Sequence, residues 1–459
     1  MVDTIKEIPF ALKFLIVIII TFGISLVFTP IMTFVSRLIG AVDKPNERRI
    51  NTKPMPSAGG FAIFLSFAIA SLFILPKIVH PALPYLGQEN PVAPHLQVHP
   101  GQAPKLQSYF SYALPFVIAG GIVVLTGLID DIKEISPKMK MLGLTIAASF
   151  VWFFTHARFD NLKVPFGGPL LTFPAWLSFI FTVFWILAIT NAINLIDGLD
   201  GLASGVSVIS LLTMGVVSYF FLPSPNVFLP IMIFTIVAAI MGFFPYNYHP
   251  AIIYLGDTGA LFLGFMISVS SLQGLKNATA VAVLTPLLIL GVPLTDTIMA
   301  MVRRKLNRQK ISVADKRHLH HRLMALGFTH RGAVLVIYGI AGIFAFISLI
   351  LQVSSRLGGI LLIIACLFGL EIFIELVGIL GENRQPMLNA LRFIGNSSYR
   401  SKVVNKRNQE ENEQENFDET KNFTDFDELE DTLKFDKTVK NVEEEPKVKL
   451  SRRERDNKS

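Results

Sequence analysis

The apolar residues of this chain gather in long runs separated by short polar gaps. About eleven runs stand out, at roughly 10–36, 58–79, 108–129, 138–156, 175–193, 202–222, 227–246, 258–274, 278–302, 331–354 and 357–380. Each is near the ~20 residues that a helix needs to cross a bilayer. The pattern predicts an all-α polytopic membrane protein. The first run is long, its leading residues Asp3, Lys6 and Glu7 carry no positive bias, and no small-residue cleavage site closes it, so it reads as a span and not as a signal peptide. Two segments break the rhythm. Pro81–Ser108 contains Pro, Gly and His without periodicity and reads as an external loop. Residues 400–459 are rich in Glu, Asp, Lys and Asn and read as a disordered cytoplasmic tail, within which Phe423–Phe435 has the makings of a short helix. Residues 1–399 then form the transmembrane domain, with a His-rich cytoplasmic loop at 303–330.

Composition agrees with that class. Of 459 residues, 52% are hydrophobic and 16% charged, against about 25% charged in a typical soluble domain; mean hydropathy is +0.53. The single cysteine, Cys366, lies inside an apolar run, so an intrachain disulfide is excluded and redox compartment is uninformative. A net charge of +7 would suggest nucleic acid in a soluble protein. A membrane protein collects Lys and Arg in its cytoplasmic loops regardless, so no nucleic-acid partner is inferred.

The loop charges set an orientation. Arg37, Lys44, Arg48, Arg49 and Lys53 lie between runs one and two, and Lys133, Lys138 and Lys140 between three and four. Eight more basic residues, from Arg303 to Arg322, lie between nine and ten, whereas the 80–107 loop carries only Lys105. The positive-inside rule places the N-terminus outside and the C-terminus in the cytoplasm. Asp130–Asp131, Asn194–Asp200, Asp257 and His318–Arg322 then all follow odd-numbered runs, and so all face the cytoplasm. One active site on that face would use them together.

The densest chemistry is Asn191–Gly205, where Asn194, Asp197 and Asp200 recur at spacing three with Gly198 and Gly201 between them. That spacing keeps polar groups on one helix face, and the glycines admit a second group close to the backbone. A helix cap accounts for one Asp and one Gly, not for the set. Asp130 and Asp131 are adjacent carboxylates that repel unless a cation or lysine is near. Asp257 opens a run and reads either as an N-cap or as a ligand for Mg²⁺, which prefers one or two carboxylates plus substrate phosphates. His318, His320, His321 and Arg322 suit a diphosphate better than zinc, because no Cys is near and the histidines do not share a helix face. Asp43–Gly60 reads as a basic flap near phosphates or as turn residues alone. Asp296 is expected at the cytoplasmic interface; Glu371 and Glu375 share a face inside the last run and suggest no function.

Together these motifs resemble the polyprenyl-phosphate N-acetylhexosamine-1-phosphate transferases of bacteria, over roughly residues 10–380. The His-Leu-His-His-Arg form of the last motif is similar to the UDP-N-acetylglucosamine branch that initiates teichoic acid or O-antigen assembly. The resemblance implies Mg²⁺, or Mn²⁺ in its place, on Asp257 and Asn194, and a base or lipid-phosphate-orienting role for Asp130 or Asp131. It implies that Lys140 holds the lipid phosphate, that Asp200 contacts the uracil with Asp197 beside it, and that His318, His320, His321 and Arg322 serve the sugar-nucleotide diphosphate. The implied partners are undecaprenyl phosphate, a UDP-sugar and the bilayer of the bacterial cytoplasmic membrane, with a homodimer left open. One departure is Asn51, which stands where the family loop has a histidine. The alternatives are the peptidoglycan translocase that uses UDP-N-acetylmuramoyl-pentapeptide, and a cation-coupled transporter. A transporter would be expected to place its acids near the midplane, and no internal repeat is evident.

Overall fold

The computed structural model describes residues 10–44, 54–78, 108–163, 170–221, 227–274, 287–306, 318–378 and 385–405, with isolated positions beyond. The chain divides into two compact units, Met1–Gln385 and Pro386–Ser459. In the first, helix α1 (Phe10–Ile39) leads to a small hairpin of β1 (Val42–Asp43) and β2 (Met55–Pro56). Helix α2 (Gly59–Ile69) continues as a π-helical turn over Ala70–Ile74. Helices α3 (Tyr109–Lys133) and α4 (Pro137–Phe154) follow, then a second hairpin of β3 (Asn161–Lys163) and β4 (Leu170–Thr172). Next come α5 (Ala175–Ile196), α6 (Leu202–Phe220), α7 (Phe228–Asn247), α8 (Gly256–Gly274) and α9 (Gly291–Leu306). A short α10 (Leu319–Ala325) precedes the long α11 (His330–Val353) and α12 (Arg356–Val377). The second unit opens with α13 (Pro386–Gly395).

Each apolar run has its described part mainly on a helix; residues 79, 222, 278–286 and 379–380 of these runs lie outside the described residues. Eight helices among the described residues are long and apolar enough to cross a membrane: α1, α2 with its extension to Ile78, α3, α5, α6, α7, α11 and α12. The protein is an all-α polytopic membrane protein whose two antiparallel hairpins are minor additions. The basic stretch Arg48–Lys53 with Asn51, the loop 81–107, residues 307–317 of the His-rich loop and Phe423–Phe435 also lie outside the described residues.

Helix α8 sits at the centre. It packs on α5, α3, α2 and α6, and its Leu261, Phe262, Leu263, Phe265, Met266 and Ile267 are fully buried. The outer helix α1, in contrast, exposes Leu15, Ile19 and Phe34, the surface a lipid-facing helix presents. Apolar side chains gain little by leaving lipid for protein, so membrane helices associate through close backbone packing. Gly127 on α3 shows this: a Cβ there would stand 2.6 Å from the Thr258 nitrogen and Cα. Gly60 at the start of α2 meets Gly259 in the same way. These contacts press the N-terminal turn of α8 between α2 and α3. The chain entering that turn is also pinned by backbone hydrogen bonds: Tyr254 N donates to Pro56 O at 2.8 Å, and Gly60 N to Leu255 O at 3.0 Å.

Candidate active site

The turn so fixed is where the acids converge. A cavity of about 600 Å³ opens beside the N-terminus of α8, lined by Asp130, Asp131, Asn194, Asp197, Asp200, Asp257, His320 and His321, together with Asp43, Glu134, His249 and His330. Residues from α3, the α5–α6 turn, the α7–α8 connection and α10 thus reach one chamber at one end of the bundle.

The two adjacent aspartates have different partners. Asp130, 8% exposed, accepts from Ile135 N through Oδ1 at 2.9 Å and holds the Lys140 ammonium on Oδ2 at 2.5 Å. Lys140 also reaches Asp257 Oδ2 at 2.7 Å, so one cation bridges the end of α3 and the start of α8. Asp131 faces the α8 N-terminus. It accepts from Asp257 N at 2.9 Å, from Thr258 N at 3.0 Å and from Thr258 Oγ1 at 2.5 Å, with Ser57 Oγ at 3.2 Å. A helix N-terminus carries unpaired N–H groups and a partial positive charge, and Asp131 satisfies both. Pointing apart is also how neighbouring carboxylates avoid each other's charge.

Asn194, on the last turn of α5, donates its amide to Asp257 Oδ1. Hard oxygen donors are what Mg²⁺ requires, and a half-turn of that amide would present its oxygen beside the Asp257 carboxylate. The balance of charge favours a cation as well. Six aspartates and one glutamate line the cavity, and Lys140 is the ammonium that contacts them among the described residues. A chamber this acidic repels an anionic substrate unless further positive charge enters with it.

Asp197 lies just beyond α5. Its enclosure by protein, reinforced by the charges of Asp257, Asp131 and Asp200, raises its carboxyl pKa well above the ordinary value. A raised carboxyl pKa means that the fold binds the proton more tightly than the unfolded chain does. Stability therefore falls as pH rises from the usual Asp range towards the raised value. Asp197→Asn removes that penalty. In EDTA-containing buffer it is expected to melt about 2–4 °C above wild type at pH 7.5 and to match it near pH 4. A thermal-unfolding series across pH checks this.

The His-rich motif divides. Asp296 on α9, 2% exposed, accepts from His318 Nδ1 and from Leu319 N, both at 3.0 Å, and so anchors the start of α10. His320 and His321 then turn to the cavity, and their rings lie 4.2 Å apart. Burial, with His321 adding to it, pushes the His320 imidazole down to about 3. It is therefore neutral at pH 7 and acts as a hydrogen-bonding group, not as a cation. Gly198 has no side chain because His320 occupies that space: a Cβ there would stand 2.5 Å from the ring. The structure does not bring His318 and Arg322 to the cavity wall. His318 is spent on Asp296, and Arg322 Nε donates to Val377 O at the end of α12 at 3.2 Å. At α10, His318 thus faces α9 and Arg322 faces the end of α12. Asp131, likewise, is a cap before it is anything else.

Sequence reasoning missed His249 and His330. His249 Nδ1 meets Asp200 Oδ2 at 2.7 Å, and Asp200 N donates to His330 Nε2 at 3.0 Å. A signal was present, since His249 follows the seventh apolar run and His330 closes the His-rich loop, the same side as the other motifs.

The fold and this chamber define a multi-pass membrane protein that carries a polar, acid-lined site at one end of its helix bundle. The sequence profile of glycosyl transferase family 4 matches residues 113–275. A probable undecaprenyl-phosphate N-acetylglucosaminyl 1-phosphate transferase of Bacillus subtilis (strain 168) is 35% identical over 377 residues, covering 82% of this chain and 95% of the relative. A decaprenyl-phosphate N-acetylglucosaminephosphotransferase of Mycolicibacterium smegmatis is 33% identical, covering 67% of this chain and 74% of the relative. An undecaprenyl-phosphate alpha-N-acetylglucosaminyl 1-phosphate transferase of Salmonella typhi is 27% identical, covering 69% and 79%. The chain belongs to glycosyl transferase family 4, the polyprenyl-phosphate N-acetylhexosamine-1-phosphate transferases that its motifs resemble.

Proposed function

We propose that this protein transfers N-acetylglucosamine-1-phosphate from UDP-N-acetylglucosamine to undecaprenyl phosphate at the cytoplasmic face of a bacterial cytoplasmic membrane. The product, a lipid-diphosphate-sugar, would initiate a cell-surface polymer such as teichoic acid or O-antigen. The observation that carries the reading is the junction of Lys140 with Asp130 and Asp257, beside Asn194. Three motifs far apart in sequence meet there around one cation, as transfer between two anionic phosphates requires. The relatives' names agree with the same reaction.

In this mechanism a lipid-phosphate oxygen bonds to the β-phosphorus of the UDP-sugar. The bond from that phosphorus to the bridging oxygen breaks, and UMP leaves with the electron pair. A lipid phosphate is ionised near neutral pH, so alignment and charge neutralisation dominate over proton removal. Lys140 draws the lipid phosphate to the Asp130–Asp257 junction. Neutral His320, with His321 beside it, hydrogen-bonds the diphosphate, and the Asp197–Asp200 turn receives the nucleoside. Asp257 and Asn194 would hold Mg²⁺ or Mn²⁺, which neutralises charge on the diphosphate when bound.

Membranes containing the protein, given undecaprenyl phosphate, UDP-N-acetylglucosamine and Mg²⁺, are expected to release UMP, and EDTA is expected to stop release. UDP-N-acetylmuramoyl-pentapeptide in the same assay should be a poor donor. If it outcompetes UDP-N-acetylglucosamine, the donor assignment is wrong.

A further inference from the structure

The Asp197–Gly201 turn is gripped from two helices that supply none of the charge at the Lys140 junction. From the end of α7, His249 Nδ1 donates to Asp200 Oδ2 at 2.7 Å, and Ala251 N donates to the same oxygen at 3.1 Å. From the start of α11, His330 Nε2 accepts from Asp200 N at 3.0 Å, and Tyr338 OH donates to Gly201 O at 2.5 Å. The two anchors are themselves joined. The His249 and His330 rings stack with centroids 4.1 Å apart and 20° between planes, and Arg331 Nη2 donates to His249 O at 3.0 Å.

Asp200, His249 and His330 place one donor atom each within 4.8 Å of one another, the spacing of a metal site. The geometry argues otherwise. The His330 Nε2 lone pair is taken by an N–H, and the His249 Nδ1 proton is given to a carboxylate. Two nearly parallel stacked rings do not aim both lone pairs at one ion. What remains is Asp200 Oδ1, for which no donor is found among the described residues, on a carboxylate that lines the cavity. An acceptor oxygen held still in this way fits a ligand group that carries N–H or O–H, as a nucleoside does in its ribose and its uracil imide.

We infer that His249 and His330 are positioning residues for nucleotide recognition: they fix the direction of Asp200 and thereby the affinity for the UDP moiety. This rests on the UDP-sugar reading above. Because the nucleoside is remote from the reacting phosphorus, the loss should fall on KM and not on kcat. His249→Ala and His330→Ala are each expected to raise KM for UDP-N-acetylglucosamine about tenfold, the worth of one such hydrogen bond. The kcat and the KM for undecaprenyl phosphate should stay within about threefold. His249→Asn keeps a donor near Nδ1 and His330→Gln an acceptor near Nε2, so both should recover most of the affinity, and they are the variants to read if the alanine forms do not fold. Thermal stabilisation by UMP, measured on the purified full chain, should follow the same order.

The inference is overturned if kcat falls while KM for the UDP-sugar and UMP stabilisation are unchanged. It is also overturned if Asn and Gln do no better than Ala, or if the protein purifies with one equivalent of a transition metal that His330→Ala releases. Should wild type bind UMP without turning over UDP-N-acetylglucosamine, the transferase assignment fails, and UMP stabilisation of the variants still decides the inference. If wild type does not bind UMP, both fall.

Discussion

Asp257→Ala is expected to lower UMP release by about a thousandfold or more while the protein stays folded. The carboxylate stands at the N-terminus of α8, takes the Lys140 ammonium on one oxygen and the Asn194 amide on the other, and so joins α4, α5 and α8 at one point. Its removal leaves Lys140 paired with Asp130 alone, and Asn194 without its partner. The substrate diphosphate then loses the proposed cation site and the lipid phosphate loses the alignment of the lysine. Loss from both anionic partners makes the effect larger than a single hydrogen bond. Radiolabelled transfer to undecaprenyl phosphate, with Mg²⁺ varied, measures it. Asp257→Ala turning over like wild type would remove the metal assignment altogether.

Asp131→Ala is expected to act chiefly on stability, by about 2–4 kcal/mol. Three donors at the start of α8 rely on this carboxylate, Asp257 N, Thr258 N and Thr258 Oγ1, and Ser57 Oγ is a fourth at longer range. Donors left buried without a partner carry a desolvation cost, and three of them lose theirs at once. The neighbouring Asp130→Ala is expected to shift the unfolding midpoint less, since Lys140 retains Asp257. Thermal unfolding in detergent distinguishes the two. Equal shifts for Asp130 and Asp131 would refute the separate roles assigned to them.

The helical, membrane-spanning class was legible because it is a local property: about twenty residues of low polarity suffice, whatever surrounds them, and eight of the apolar runs are helices of that kind among the described residues. The alternation of basic loops likewise put Asp130, Asn194, Asp257 and His320 on one side, and the structure brings those residues to one chamber. Local pattern could not rank the helices. The Asn191–Gly205 stretch has the densest motif, yet α8 is the element on which the bundle closes. The close backbone contacts at Gly60 and Gly127 that make it central exist only between segments far apart in sequence.

The destinations of individual side chains were decided by tertiary structure for the same reason. Asp130 and Asp131 are one residue apart and of one kind, so nothing local says which meets a lysine and which caps a helix. His318 and His320 are two apart, and only the position of Asp296 on α9 sends the first away from the cavity. His249 and His330 looked unremarkable alone, because each acquires its role from Asp200 across 49 and 130 residues of chain. Composition along the chain determines which segments are long and apolar enough to cross a membrane. What each polar group does depends on its neighbours in space, since a charge is stabilised by partners within a few ångströms and not by its place in the chain.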